Sequence, residues 1–433
     1  MSAHRLVVDR LQLPAPVARR ATLVLPGDKS VSHRAFMLAA IATGKTRIKG
    51  ANAGADVHAT IAALRQVGVK INRTRNGFVV NGDSKFRAPH DTIDCGNSGT
   101  TMRLLAGLLA GRVHAVLDGD ASLRRRPMLR VAQPLNEMGA DIGTSSQGRP
   151  PLRLRECGQL HGARVRVDVA SAQVKSAILL AAVHASSPTT IRLKFDSRDH
   201  TERMLRAFGG KIAVRGRTIQ VQPSLLTSPR SLEIFGDLSA AVYFACAGAL
   251  VRGSRLRLRK VGVNPTRTAI LDVLRAMGVH VDIIPLRGGG GEPAADLVIH
   301  GGYPLRCVPI KQNIVPEIVD EIPALCALAA TAVGVLRIRG AMELRHKESD
   351  RIATIVALLK QFGVRAVAKH DGIEVRGGQT LRAPTTIDTH GDHRIGMAAA
   401  ILAVATRAPL IIEHSACIAT SFPGFARAWR ATF

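Results

Sequence analysis

Two cations and the start of a helix lie close together in residues 25–34, Leu-Pro-Gly-Asp-Lys-Ser-Val-Ser-His-Arg. A Pro-Gly pair ends a short apolar strand, and Ser30 is a favourable N-cap for the apolar run that follows. The first N–H groups of a helix lie at the positive end of its dipole, so together with Lys29 and Arg34 they suit a phosphate or carboxylate. The stretch predicts an anion site, although two such cations alone more often belong to a solvated helix face.

Five further polar clusters precede Ala- and Leu-rich runs, at residues 96–100, 170–173, 236–239, 319–321 and 391–394. If the helices that follow are buried and parallel, their N-termini meet in one cleft, which would bind a ligand with more than one dianionic group. The cations available there are Lys29, Arg34, Arg126, Arg198, Lys347, Arg351 and Arg394, and the neutral donors are Asn97, Ser98, Thr100, Ser171 and Gln173. For the neutral residues taken singly, plain N-capping is the better interpretation.

Carboxylates stand among these cations at two places, Asp320-Glu321 and the run Lys347-Glu348-Ser349-Asp350-Arg351. A carboxylate in a cationic cleft stays ionised and can act as a base, whereas a carboxyl held against another acid can act as an acid. For Asp350 we favour ordinary ion pairs with neighbouring cations. The Asp-His-Arg sequence at 392–394 is a cap with an orienting histidine rather than a hydrolase triad, because no Ser or Cys candidate is near it. No cluster has metal-ligand spacing, so the sequence predicts no metal.

The elements that must position these residues repeat roughly every seventy residues. Each unit has an apolar helix, an alternating strand such as Thr46-Arg47-Ile48-Lys49, and an amphipathic helix that ends at a glycine. We expect six α/β units that close as two groups of three, with one domain from residues 1–20 and 237–433 and the other from 21–236. The strand at residues 5–13 then joins the C-terminal group, and the glycine run at 288–291 is a flexible hairpin tip.

Composition narrows the classes of function. A chain of 433 residues with 46% hydrophobic content is globular, and its formal net charge of +28 attracts anions. We place nucleic acid well behind a small anionic substrate, because the charges are spread along the chain and one Trp and two Tyr leave little for base stacking.

Cysteine spacing and apolar runs indicate the compartment. The six cysteines form no Cys-x-x-Cys pair and are interpreted as buried residues in a reducing environment. The N-terminus has no signal-peptide core, and no apolar run is long enough to span a bilayer. We therefore predict a cytoplasmic protein that binds no membrane.

Six motifs, in order over essentially the full chain, resemble the 5-enolpyruvylshikimate-3-phosphate synthase family. They are residues 25–34, Gly-Asn-Ser-Gly-Thr-Thr-Met-Arg at 96–103, Arg-Arg-Pro-Met at 125–128, Ser-Ala-Gln-Val-Lys-Ser-Ala at 171–177, Arg-His-Lys-Glu-Ser-Asp-Arg at 345–351 and Gly-Asp-His-Arg at 391–394. The resemblance implies an α/β fold, a two-domain inside-out α/β barrel with three βαβαββ-type units per domain, buried parallel helices and an active site in the inter-domain cleft.

The resemblance also implies a reaction. The enolpyruvyl group of phosphoenolpyruvate passes to the 5-hydroxyl of shikimate 3-phosphate through a tetrahedral intermediate, and phosphate is released, on the route to aromatic amino acids. It implies no cofactor, and we expect a monomer.

Site residues follow by motif. Shikimate 3-phosphate is expected on Lys29, Ser30, Arg34, Ser171, Ala172, Gln173, Arg198, Asp320 and Lys347. Phosphoenolpyruvate is expected on Lys29, Asn97, Gly99, Arg126, Gln173, Arg351 and Arg394. Glu348 is assigned to proton exchange at C3 of phosphoenolpyruvate and Asp320 to the 5-hydroxyl, with Lys29 assisting. Because Gly99 leaves room beside phosphoenolpyruvate, we predict inhibition by glyphosate.

The chain departs from the family pattern at two places, and two alternatives stay open. Ala172 replaces a frequent Ser, and residues 419–423 lack a frequent Lys. One alternative is the sister transfer to UDP-N-acetylglucosamine, against which stand Lys29-Ser30 in place of Lys-Asn and the lack of a cysteine in residues 122–128. The other is a nucleic-acid-binding protein, motivated by the net charge of +28.

Overall fold

Short strands alternate with helices throughout the computed structural model, which describes residues 9–16, 20–83, 85–289 and 291–433. The strands are β1 (Arg10–Leu13), β2 (Arg20–Val24), β3 (Gly44–Lys49), β4 (Lys70–Thr74), β5 (Gly77–Gly82), β6 (Ile93–Asp94), β7 (Ala115–Asp118), β8 (Asp141–Gly143), β9 (Leu152–Arg155), β10 (Arg164–Val167), β11 (Thr189–Leu193), β12 (Ile212–Arg215), β13 (Thr218–Val221), β14 (Ser231–Glu233), β15 (Arg255–Gly262), β16 (His280–Gly289), β17 (Glu292–His300), β18 (Val335–Ile338), β19 (Arg365–Lys369), β20 (Gly372–Arg376), β21 (Thr386–Asp388) and β22 (Leu410–Glu413). The α-helices are α1 (Lys29–Ile41), α2 (Ala55–Gln66), α3 (Gly99–Leu109), α4 (Leu129–Asn136), α5 (Ala172–Ala182), α6 (His200–Ala207), α7 (Leu238–Leu250), α8 (Ala269–Ala276), α9 (Val315–Ile318), α10 (Ile322–Ala329), α11 (Arg351–Gln361), α12 (His393–Thr406) and α13 (Phe425–Thr432).

Within the described residues the strands form six small sheets. Three lie in the N-terminal half, with the orders β14-β3-β5-β4, β6-β7-β9-β8 and β10-β11-β13-β12. Three lie in the C-terminal half, with the orders β16-β17-β15-β2, β18-β20-β19 and β1-β22-β21. The alternation predicted from the sequence is confirmed in β3, where Thr46 and Ile48 are buried while Lys45, Arg47 and Lys49 are exposed. The six predicted units therefore have one sheet each.

Apolar helices form the inside of both halves. Helices α1, α3 and α5 in the N-terminal half and α7, α10 and α12 in the C-terminal half are buried on nearly all sides, as predicted. Helix α3 packs so closely on α5 that a Cβ at Gly107 would lie 2.1 Å from the Ala177 carbonyl oxygen. Glycine at this position is what allows the two buried helices to touch.

The amphipathic helices lie outside the buried ones and end as predicted. Helix α2 is followed by Gly68 and α8 by Gly278, with φ of +95° and +101°, the left-handed region in which glycine carries no Cβ penalty. Both glycines lead directly into the strand that follows, which explains why the helix stops there in unit after unit.

The apolar core is divided into two clusters, and the chain passes between them twice. Leu25 belongs to the C-terminal cluster and Val31 to the N-terminal one, whereas Ile234 and Leu238 mark the return. The two crossing segments are hydrogen bonded side by side, through the Asp28 N–H to the Phe235 carbonyl (2.7 Å) and the Asp237 N–H to the Pro26 carbonyl (3.0 Å). The pairing brings the starts of α1 and α7 together.

Two details differ from the sequence expectations. Strand β2 pairs in parallel with β15, so residues 21–24 lie with the C-terminal sheets and not in the domain predicted for residues 21–236; alternation alone cannot say which sheet a strand joins. Asp28, not Ser30, caps α1, because its carboxylate reaches the Val31 N–H at 2.8 Å. The division into two domains otherwise stays a prediction.

The predicted N-terminal strand and the predicted glycine-rich hairpin tip are both found within the described residues. Strand β1 pairs antiparallel with β22 and so joins the C-terminal half, while residues 5–8 of the predicted strand lie outside the described residues. The glycine run lies at the tip of the β16–β17 hairpin, with Gly290 outside the described residues. Searched over the described ranges, no helix has both the length and the apolar character that crossing a bilayer requires.

Candidate active site

One cavity between the two halves receives the starts of all six buried helices that the structure describes. Residues at or beside the first turn of each line it, namely Lys29 and Ser30, Gly99 and Thr100, Ser171 and Ala172, Asp237 and Ser239, Asp320, and His393 and Arg394. The predicted convergence of N-termini is therefore confirmed. Of the predicted site residues the lining holds Lys29, Ser30, Arg34, Gly99, Arg126, Ser171, Ala172, Gln173, Arg198, Asp320, Lys347, Glu348, Arg351 and Arg394.

Two of the predicted neutral donors, Asn97 and Ser98, stand behind the lining. The side-chain oxygen of Asn97 accepts a hydrogen bond from Arg126 Nη2 at 2.7 Å, and its amide nitrogen donates to Asp120 at 2.7 Å. Arg126 is 7% exposed and its other terminal nitrogen lies 3.8 Å from Glu348. Asn97 thus orients a lining cation without reaching the cavity.

Capping accounts for some polar residues of the clusters, as the simpler interpretation held. Asp28, Ser98, Ser171, Asp237 and Asp392 each accept a hydrogen bond from an N–H group in the first turn of a buried helix. Because these caps fix where each helix begins, the residues next to them are held in register with the cavity. Ser171 both caps its helix and lines the cavity.

Lys29 is held from two sides. Its ammonium group lies 2.8 Å from Asp56, and its backbone N–H donates to Asp237 at 3.1 Å. Burial alone would lower the pKa of Lys29, but Asp56 and Glu348 outweigh it and the pKa is raised above the ordinary value. Lys29 is therefore a fixed positive charge at neutral pH.

Asp320 is surrounded by four cations. Arg198 lies 2.9 Å from its carboxylate, Lys347 3.3 Å and Arg351 3.4 Å, and Arg394 donates to its backbone carbonyl at 2.7 Å. Burial opposes ionisation, but these cations hold the pKa of Asp320 well below its usual range. Asp320 is therefore an ionised carboxylate in the free protein, with oxygens that can accept a hydrogen bond from a hydroxyl placed against it.

Glu348 also faces cations. Arg351 contacts it at 2.5 Å, and Arg126 approaches from the other half at 3.8 Å. Although burial raises the pKa of Glu348, Arg351 and Arg126 lower it well below the ordinary value. The neighbouring cations thus favour the base of the two sequence-based alternatives, and Glu348 is a carboxylate before ligands enter.

Arg351 and Arg34 show two ways of holding a guanidinium. Arg351 is 1% exposed and joins Glu348, Asp320 and Asp392, the last at 2.8 Å. Arg34 donates through all three of its nitrogens to protein oxygens, those of Thr201, Ser30 and Ser176. Arg34 therefore offers the cavity its charge from a fixed position.

Gln173 is predicted to contact both ligands, and two hydrogen bonds hold its side chain. Its side-chain oxygen accepts from Arg103 at 2.5 Å, and its amide donates to the Thr100 hydroxyl at 2.8 Å. Sequence reasoning missed Arg103, which lines the cavity and whose pKa burial lowers to about 9. A single cation inside the apolar helix α3 was the available signal. Sequence reasoning also missed Asp56, because no spacing pattern in the sequence marks that residue.

His393 lines the cavity as a neutral imidazole. Burial, together with Lys29 and the neighbouring arginines, holds its pKa well below the ordinary value, and Glu348 does not outweigh them. Over the described ranges no group of three His, Cys, Asp or Glu side chains is placed to hold a metal ion. The absence of a metal and of a cofactor stays a prediction.

Known proteins are similar to this chain in sequence and in fold. The profile of the family described as EPSP synthase (3-phosphoshikimate 1-carboxyvinyltransferase) matches residues 15–429. A 3-phosphoshikimate 1-carboxyvinyltransferase of Geobacillus thermodenitrificans is 44% identical over 421 residues, which covers 96% of this chain and 97% of the relative. The protein of that name from Bacillus subtilis is 42% identical, with 93% and 94% covered. The solved EPSP synthase from Acinetobacter baumannii superposes with a TM-score of 0.86 at 39% identity, covering 98% of each chain.

Proposed function

The chain belongs to the EPSP synthase family, and on this premise we propose that it transfers the enolpyruvyl group of phosphoenolpyruvate to the 5-hydroxyl of shikimate 3-phosphate, with release of phosphate. The observation that carries the proposal is a single cavity in which six helix N-termini meet fixed cations and two ionised carboxylates. Both substrates carry a phosphate and a carboxylate, which such a cavity would neutralise.

The proposed ligand contacts follow the cavity. Shikimate 3-phosphate lies against Lys29, Ser30, Arg34, Ser171, Ala172, Gln173, Arg198, Asp320 and Lys347. Phosphoenolpyruvate lies against Lys29, Gly99, Arg126, Gln173, Arg351 and Arg394, with Asn97 acting through Arg126. Lys29 and Gln173 are common to both sets, and the charge of Lys29 suits a position between the reacting ends of two anions.

Chemistry begins with a proton added to C3 of phosphoenolpyruvate, which makes C2 electrophilic. The 5-hydroxyl attacks C2 and gives its proton to Asp320. The tetrahedral intermediate then loses a C3 proton while the C–O bond to phosphate breaks, and the proton held by Asp320 passes to the departing phosphate, which restores the carboxylate. We assign the C3 proton in both directions to Glu348. The bound anion would neutralise Arg351 and Arg126, the cations that keep Glu348 ionised, so substrate binding raises the pKa of Glu348 and lets it carry that proton.

Phosphate release tests the proposal. We expect phosphate to be released from phosphoenolpyruvate only when shikimate 3-phosphate is present, with the enolpyruvyl ether as the second product by mass spectrometry. Folded protein that releases no phosphate contradicts the proposal. Release with UDP-N-acetylglucosamine instead would establish the sister reaction, against which the family match stands.

The proposal extends to the compartment, the oligomeric state and the partners of the enzyme. We propose that it acts in the cytoplasm as a monomer; all six cysteines are free, which supports a reducing compartment. Elution of the purified chain at the mass of a dimer would contradict the monomer. Nucleic acid is not an expected partner, and binding that falls steeply between low and physiological salt would revive it.

Glyphosate should inhibit turnover in competition with phosphoenolpyruvate, because Gly99 leaves the phosphoenolpyruvate side of the cavity open. A Cβ at position 99 would lie 2.9 Å from Arg103 Nη1 and 3.2 Å from Arg126 Nη1. Gly99→Ala must displace these guanidinium ends, so we expect it to raise the glyphosate inhibition constant at least about tenfold and the KM of phosphoenolpyruvate less. Wild-type turnover that is unchanged at a glyphosate concentration far above the phosphoenolpyruvate KM would contradict the expected inhibition.

A further inference from the structure

A second ionic cluster forms part of the cavity wall, where the two crossing segments meet, and its members Asp237, Ser239 and Arg267 line the cavity. Its centre is Arg267, which stands in the loop between β15 and α8 and is 3% exposed. One terminal nitrogen contacts the Asp28 carboxylate. The other donates to the Ser239 hydroxyl at 2.6 Å and lies 3.5 Å from both Asp237 and Glu321. One cation thus holds three carboxylates that come from both halves of the chain.

Each of these carboxylates stands at the start of a buried helix that faces the cavity. Asp28 caps α1, and Asp237 caps α7 while also accepting the Lys29 N–H. Glu321 precedes α10 and follows Asp320 directly. The proposed bridging cation and the proposed hydroxyl base are therefore each the chain neighbour of a carboxylate that Arg267 contacts.

The three carboxylates can stay ionised and close together only because the Arg267 cation lies among them. Three carboxylates gathered in a dry site repel one another unless a cation sits among them, and an unpaired buried charge is strongly destabilising. Burial raises the pKa of Asp28, but Arg267, which lowers it most, outweighs burial together with His200, Arg198 and the Val31 N–H, and the pKa is lowered. A planar guanidinium reaches several oxygens at fixed angles, which a lysine ammonium does not reproduce.

We propose that Arg267 is a positioning residue for the transfer reaction, which holds the starts of α1, α7 and α10 so that Lys29 and Asp320 meet the substrates in the correct geometry. The proposal rests on the proposed function. It concerns a residue that no ligand contact above requires. Misplacement of reacting groups by about 1 Å costs on the order of 10²-fold in rate, so the effect of losing Arg267 should be measurable in kcat.

The test compares Arg267→Gln and Arg267→Lys with wild type at a temperature well below unfolding, with kcat expressed per folded molecule. We expect kcat of Arg267→Gln to fall about 10²-fold and Arg267→Lys to recover roughly a tenth to a half of wild-type turnover, with smaller changes in both KM values. Arg257→Gln is the matched control, because Arg257 pairs with the buried Asp296 at 2.6 Å on the outer sheet. We expect its kcat to stay within about twofold of wild type.

A double variant separates positioning from stability. Arg267→Gln with Glu321→Gln removes one cation and one carboxylate, so we expect the unfolding temperature to recover while kcat stays low. Recovery of kcat together with stability would overturn the proposal, as would kcat of both single variants within about twofold of wild type. If Arg267→Gln does not fold, Arg267→Lys decides by the same criterion.

A failure of the proposed function can be distinguished from a failure of the positioning role of Arg267. Wild-type protein that is folded but does not turn over contradicts the proposed function and leaves the positioning role to a binding measurement. Inorganic phosphate is then the probe in calorimetry, and we expect its dissociation constant to rise at least about fivefold in Arg267→Gln and not in Arg257→Gln. Equal phosphate affinities in all three proteins would overturn the role of Arg267.

Discussion

Lys29→Met is expected to lower kcat/KM for both substrates by about 10³-fold or more, which is the largest loss that the cavity predicts. Methionine keeps much of the side-chain volume but removes the charge that we place between the two anions. The same change leaves Asp56, which is 2.8 Å from the ammonium group, without its cation. Phosphate release at saturating and subsaturating concentrations of each substrate measures the loss.

Loss of activity must be separated from loss of the Lys29–Asp56 pair. Removing one partner of a buried pair lowers the free energy of unfolding by about 3–5 kcal/mol at most, and less here because both side chains keep some solvent contact. The double variant Lys29→Met with Asp56→Asn should recover stability without recovering turnover. Lys45→Met, on the exposed face of β3, is the matched control and should behave as wild type. Turnover by Lys29→Met within tenfold of wild type would remove Lys29 from the proposed mechanism.

Much of the fold could be predicted because the apolar runs, the alternating strands and the helix-ending glycines all indicate the same arrangement. Apolar runs such as residues 395–405 are too continuous for a surface helix, and the following strands alternate, so the pattern has few other solutions. The side of the cleft on which a strand pairs is not encoded locally. Strand β2 joins β15 because β15 offers it an open edge, and residues 20–24 carry no sign of that choice.

The site could be predicted wherever a residue lies at a helix start. Asp320 and Arg394 lie close together because α10 and α12 both begin at the cavity, which the repeated polar clusters indicated. Glu348 lines the same cavity from the run of alternating charges just before α11. Partners that act across the chain were not predictable from spacing. Asp56 reaches Lys29 from the start of α2, and Arg267 reaches Asp28 across 239 positions, so only the packed structure places them.

Glu348→Gln carries the second large effect, an expected loss of about 10²–10⁴-fold in kcat with little change in the KM of phosphoenolpyruvate. Glutamine preserves the shape and can still contact Arg351, but it cannot carry a proton to and from C3. Removing a carboxylate beside an anionic ligand also removes repulsion, so binding should not weaken. Deuterium incorporation at C3 of phosphoenolpyruvate, measured during turnover in heavy water, should fall with kcat in this variant.

The pH profile follows from the sign of the shift. Arg351 and Arg126 outweigh burial and hold the pKa of Glu348 well below its ordinary value, so the ion pairs of the free protein are complete at neutral pH and are lost only as pH falls through that low pKa. In the substrate complex Glu348 must hold a proton to add it to C3, so any limb of the kcat profile that belongs to Glu348 lies on the alkaline side and should disappear in Glu348→Gln. Glu343→Gln is the matched control, because Glu343 pairs with Arg130 at 3.0 Å and its pKa is also lowered. If Glu343→Gln slows deuterium incorporation as much as Glu348→Gln does, the proton at C3 is not carried by Glu348, and the loss must come from the ion pairs that close the two halves.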